Sequence, residues 1–197
     1  MREIFPGIHQ WSWPSPEKGI DFNGLYVTTP GETLLIDPPP FGDGDEGEIR
    51  KLGVPRTIVI TNRHHGRKGA ECRELFGSRL LVPAADGPFF PFAVDGTIAS
   101  GDPLPCGFKA VAVEDSKSPG ETALYDPGRK LLVLGDALIG RPAGELSFLP
   151  PAMFADMARA RAGIRRLLGL DFDTVLVGDG TSILTGGKGA LLRALSR

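Results

Sequence analysis

At 197 residues the chain has the length of one ordinary domain, expected to span residues 1–197, and 41% hydrophobic against 23% charged residues is a globular balance. A formal net charge of −2 leaves no basic surplus for a phosphate backbone, which argues against nucleic acid as a partner. Cys72 and Cys106 lie far apart in no zinc-finger or C-x-x-C spacing, so reduced thiols in a cytoplasmic protein are expected rather than a disulfide scaffold.

In chain order, Met1–Ser15 is broken by Pro6 and Pro14 and has no apolar stretch of the kind that opens a signal peptide. No segment approaches the ~20 apolar residues that a membrane span needs, so no membrane is expected as a partner. Gly24–Thr29 and Thr33–Asp37 are β-prone runs about the turn Pro30–Gly31, which predicts a hairpin. Asp45–Leu52 reads as a short polar helix, Arg56–Ile60 as a buried strand and Lys68–Phe76 as a helix. Leu80–Val82 is a strand candidate, and Phe89–Phe92 falls in a Pro-rich loop. Strands are predicted at Phe108–Val113, Thr122–Tyr125 and Lys130–Leu134, with the turn Asp126–Arg129 between the last two. Ala152–Leu168, opened by Pro151, should be the longest helix, followed by a strand at Thr174–Val177 and a helix at Lys188–Leu195. Hairpin-rich strands followed by alternating strands and helices suggest two sheets with helices outside them.

Loops at strand ends carry the chemistry. They read T-N-R-H-H-G-R-K-G at 61–69, K-S-P-G-E at 117–121, G-D at 135–136 and G-D-G at 178–180. Together with N-G-L-Y-V at 23–27 and L-L-I-D at 34–37, these segments resemble the metallo-β-lactamase superfamily, whose loops read T-H-x-H-x-D-H-x-G, H-x-P-G-H, G-D and G-H-G. The resemblance covers roughly residues 23 to 190 in the same order. It implies a four-layer αββα sandwich, an α/β fold in which two mixed sheets pack face to face with helices outside.

In that family the histidines and aspartates of these loops hold two metals, usually zinc, and a bridging hydroxide attacks the substrate. Here the pattern departs. Asn62 stands at the first histidine, His64 keeps the second, Gly66 and Arg67 replace the next aspartate and histidine, and Lys117 replaces the histidine of the third loop. Asp136 is kept, and Asp179 replaces the last histidine. Two of the seven positions thus keep their residue. A cation is what a buried carboxylate needs where metal charge is lost, and Arg67 and Lys117 against Asp136 and Asp179 make a balanced set of two and two.

The expected reading is a site of His64, Lys117, Asp136 and Asp179, flanked by Asn62, His65 and Arg67, that binds a small polar or anionic ligand or a partner without two-zinc hydrolysis. No cofactor is expected on that reading, and an oligomer is compatible with it. The alternative is a mononuclear hydrolase holding one zinc or other divalent metal on His64, Asp136 and Asp179, with His65 or Asn62 as further candidate ligands. Metal-free chemistry with His64 as base and Lys117 as electrophile ranks behind both. Against all three stands the plainer view that the histidines and cations are solvated loop residues. Asp37 is expected to serve structure, capping N–H groups of a following loop.

Overall fold

The computed structural model describes residues 1–197. Seven strands form one sheet in sequence order, β1 (Arg2–Phe5), β2 (Ile8–Ser15), β3 (Ile20–Thr29), β4 (Glu32–Ile36), β5 (Thr57–Val59), β6 (Arg79–Pro83) and β7 (Gly96–Ile98). Pairing is antiparallel up to β4 and parallel from β4 to β7. The second sheet orders β8 (Lys109–Ala112), β9 (Thr122–Asp126), β10 (Leu131–Leu134) and β11 (Thr174–Val177) as β11-β10-β9-β8, with only β10 and β11 parallel.

Successive strand residues point to opposite faces, and the sequence is apolar on both. Leu25, Val27, Leu34, Ile36 and Val59 of the first sheet meet Ala110, Leu124, Leu131, Val133 and Leu176 of the second in one buried cluster between the sheets. Their neighbours Tyr26, Leu35, Ile58 and Ile60 face outward, onto Ile49 of α1 (Asp45–Leu52) and Cys72 and Phe76 of α2 (Gly69–Phe76). Leu132, Leu134, Val175 and Val177 face the other way, onto Ile164 of α3 (Met157–Arg166) and Leu191 and Ala194 of α4 (Gly187–Leu195). The layers therefore run helix, sheet, sheet, helix, as the resemblance implied. No helix is long and apolar enough to cross a membrane.

The differences from expectation have local causes. Strands β1 and β2 were not read from the sequence because Pro14 looks like a breaker. It lies beyond the stretch where β1 covers β2, so its missing N–H breaks no ladder on that side. Strand β7 is only Gly96–Ile98, too short to show a pattern. The helix expected from Ala152 begins at Met157, because Pro151–Met153 closes a separate 3₁₀ turn and the Asp156 side chain accepts from the backbone N–H groups of Ala158 and Arg159.

Candidate functional site

The loops that follow β4, β5, β10 and β11 all open at the carboxyl ends of parallel strands, where α/β proteins gather their ligands. The Asp37 carboxylate, just past β4, accepts from Thr61 N (2.8 Å), Thr61 Oγ1 (2.6 Å) and His65 Nδ1 (2.7 Å). A carboxylate only accepts, so the imidazole carries its proton on Nδ1 and turns Nε2 inward. Asp37 thus fixes the next strand's loop and a histidine ring, more than the capping role expected of it. Gly178 makes room for that ring, since a Cβ there would lie 2.5 Å from His65 Cε1.

His65, not His64, occupies the centre. Its Nε2 lies 3.5 Å from Asp136 Oδ1 and 3.9 Å from Asp179 Oδ1, and its side chain is 2% exposed. His64 is exposed at the rim, with its backbone N–H donating to Asn62 Oδ1 at 2.8 Å. Two adjacent histidines in the 3₁₀ turn Arg63–His65 point in different directions, and the turn turns the second one inward.

Two cations face the central carboxylates. Lys117 Nζ donates to Asp136 Oδ2 at 2.7 Å, and Arg67 Nη2 donates to Asp179 Oδ1. The Arg67 guanidinium also lies 4.2 Å over the Phe22 ring and 3.3 Å from His65 Nε2. Burial and the Arg67 charge oppose protonation of His65, but Asp37 and Asp136 outweigh them and raise its pKa to about 10. Burial likewise opposes ionisation of Asp136, yet His65 and Lys117 hold it below the ordinary carboxylate range. Three carboxylates, Asp37, Asp136 and Asp179, therefore face three cations, His65, Arg67 and Lys117. At the rim, partial desolvation and the Lys117 charge lower the pKa of His64, which favours a neutral imidazole.

Sequence reasoning passed over two further residues. Glu121, in K-S-P-G-E, is buried, accepts from Asp136 N at 3.0 Å through Oε1 and leaves Oε2 without a protein partner. Burial and the Asp136 charge push its pKa well above the usual range, favouring the neutral acid and adding no charge to the balanced set. Buried Asp86 accepts from Arg63 N (2.7 Å), Gly120 N (3.0 Å) and Ser118 Oγ, tying the loop after β5 to the loop before β9. Only the burial of an otherwise unremarkable loop aspartate marks it, and that is not readable from sequence. Phe90 and Phe92 lie in the expected loop but sit against the back of Gly66, while exposed Phe89 stacks with Arg63. They support the loop and leave the pocket wall to others.

That wall surrounds a cavity of about 480 Å³ bordered by His64, His65, Arg67, Lys117, Asp136 and Asp179, with Lys18 and Arg141 at its mouth and Ile20, Phe22, Ile139, Leu149 and Met153 as apolar surface. In number, the His65 nitrogen and one oxygen each from Asp136 and Asp179, all within 4.8 Å of one another, could hold a metal ion. Each of the three also faces a cation, Lys117 on Asp136 and Arg67 on Asp179 and His65.

A family model described as the metallo-β-lactamase superfamily matches residues 2–196. Among curated protein sequences nothing matches. The solved DIM-1 metallo-β-lactamase is 16% identical with a TM-score of 0.80, over 98% of this chain and 94% of that one. A metallo-β-lactamase from Pontibacter korlensis is 17% identical at 0.78, over 99% and 96%. FIM-1 from Pseudomonas aeruginosa, solved in its mono-zinc form, is 15% identical at 0.73, over 98% and 93%. Such low identities speak for the fold alone, but the family model spans nearly the whole sequence, and the chain belongs to the metallo-β-lactamase superfamily.

Proposed function

We propose that this protein binds a small organic anion in the cavity above His65, and that internal cations stand in for the metals of its family. The observation that carries the reading is the pair of contacts from Lys117 to Asp136 and from Arg67 to Asp179. A divalent ion placed among His65, Asp136 and Asp179 would have to displace or sit beside the Arg67 and Lys117 cations at a few ångströms, and that repulsion opposes what three ligands supply. These residues therefore fit an ion-pair network better than a metal, and no reaction step is routed through one. With the site carboxylates already matched, Lys18 and Arg141 leave the residues that line the cavity net positive, which favours an anion.

The test is elemental analysis after dialysis against zinc-containing buffer. The expected result is well under one zinc per chain, and two tightly held metals would overturn the reading.

A second reading, a mononuclear metal-dependent hydrolase, is favoured by one observation. Asp37 holds His65 by Nδ1 and turns Nε2 toward Asp136 and Asp179, the usual outer support of a metal-bound histidine. FIM-1, a structural neighbour, was solved with one zinc. On this reading the ligand histidine is His65 and not His64. One zinc per chain, lost in His65→Ala, would select it.

A further inference from the structure

We propose that the ligand of this cavity is amphipathic, with an oxyanion held at the rim by Arg141 and Lys18 and an apolar body laid along Ile139, Leu149 and Met153. The inference rests on the anion-binding reading above and adds which end of the ligand goes where.

The first support is the separation of two kinds of cation. Lys117 and Arg67, deep in the cavity, are each committed to a carboxylate. Lys18 and Arg141 border the same cavity, and no ion pair occupies either. Arg141 Nη1 donates to the backbone carbonyl of Lys18 at 3.4 Å, so the two cationic residues adjoin on the cavity's border. An oxyanion at the rim meets two unspent cations, whereas one at the floor competes with Asp136 and Asp179.

The second support is that Arg141 is presented by a held segment. Ile139 and Ser147 exchange backbone hydrogen bonds at 2.9 Å, and Ser147 Oγ donates to the Arg141 carbonyl at 2.6 Å. Gly140 N donates to the Asp179 carbonyl at 2.9 Å, which ties this small hairpin to the floor of the site. The backbone that carries Arg141 is therefore held before a ligand arrives, and a planar fork suits the two oxygens of a carboxylate or phosphate.

The third support is the surface between rim and floor. Ile139 and Leu149 are half-buried and Met153 is 44% exposed, an apolar strip that water covers in the free protein. A ligand made only of charge would leave it wet, and an apolar tail would cover it. Carboxylates and phosphate monoesters share the required head group, and the two can be told apart by binding.

The experiment is isothermal titration calorimetry of the full chain with butanoate, hexanoate, octanoate, octyl phosphate, octanol and octylammonium. Affinity should rise about fourfold per methylene along the carboxylates, up to the length the strip covers. Octanol and octylammonium should bind at least about tenfold more weakly than octanoate, and the tighter of octanoate and octyl phosphate identifies the head group. Arg141→Ala should weaken the tighter one by about tenfold or more, with Arg141→Lys recovering part of the loss. Arg141 is exposed, so both variants should keep the native circular dichroism spectrum. Lys18→Ala supplies a second, independent rim variant and should weaken binding in the same direction. Equal affinity for octanol and octanoate, or binding unchanged in both Arg141→Ala and Lys18→Ala, would overturn the proposal. Equal affinity for octanol and octanoate would count against anion binding itself, whereas unchanged binding in both rim variants would overturn only the placement of the head group; replacement of the metals is tested separately by zinc content.

Discussion

Truncating Lys117 to alanine removes the ammonium 2.7 Å from Asp136 and leaves a carboxylate that is 3% exposed with His65 as its nearest remaining cation. Stranding one member of a fully buried pair costs about 3–5 kcal/mol, while an exposed pair is worth ~0–1. Lys117 is 21% exposed, so water can enter where it stood, and His65 keeps part of the compensation. The expected cost is therefore intermediate, about 2–3 kcal/mol, or roughly 4–12 °C in melting temperature for a chain of this length. Urea unfolding followed by circular dichroism at pH 7 measures it for Lys117→Ala, Asp136→Asn and the double variant. Removing the second partner after the first should cost less than removing it alone, with a coupling of about 1–3 kcal/mol. Additivity within about 0.5 kcal/mol would refute the argument, because it would mean that Lys117 stabilises nothing through Asp136.

Other consequences are open to measurement. Burial pushes the Cys72 thiol up to about 12 and Cys106 is also buried, so a thiol reagent at neutral pH should label neither in the native protein and both after unfolding; rapid labelling of the folded chain would contradict this. Hydrogen bonds from Arg73 and from Leu80 N hold Asp95 down to about 2. Because the folded value lies below the unfolded one of ~3.9, Asp95 stabilises above that pH and the benefit fades as pH falls toward about 2. The stability gap between wild type and Asp95→Asn should therefore close over that window and be constant above pH 5. Gly135→Ala would place a Cβ 2.4 Å from Thr61 Oγ1 and 2.6 Å from Asn62 Nδ2, and should cost about 1–3 kcal/mol in urea unfolding. A neutral result there would mean that the packing around Thr61 and Asn62 yields easily.

The layers were legible because strands apolar on both faces, such as Leu131–Leu134, announce burial between a second sheet and a helix. The site was legible in its parts and less so in its arrangement. Asp136, Asp179, Lys117 and Arg67 meet where the loop pattern placed them. Which of His64 and His65 turns inward depends on the phase of a three-residue turn, on a hydrogen bond from a strand 28 positions away and on the space left by Gly178. The last two are not local properties. Asp86 was hidden for the same reason, since its three donors come from two loops distant in sequence.

The side chain of Asn23 lies in the first sheet but donates to the carbonyls of Val177 and Gly180 in the loop after β11, at 2.8 and 2.7 Å, while its own oxygen accepts from Gln10 and Ser12. This amide thus acts as one rivet among several between two plates, beside the backbone bonds from Asn23 N to Gly178 and from Gly180 N to Asp21, and the cavity is the gap beside them. Lys18 rides on one plate and Arg141 on the other, so the width of that gap depends on how tightly these fastenings close, the contact from Arg141 to the Lys18 carbonyl among them. Alterations deep in the strands can then retune the mouth from a distance, and a guest that spans it would in turn hold the plates together.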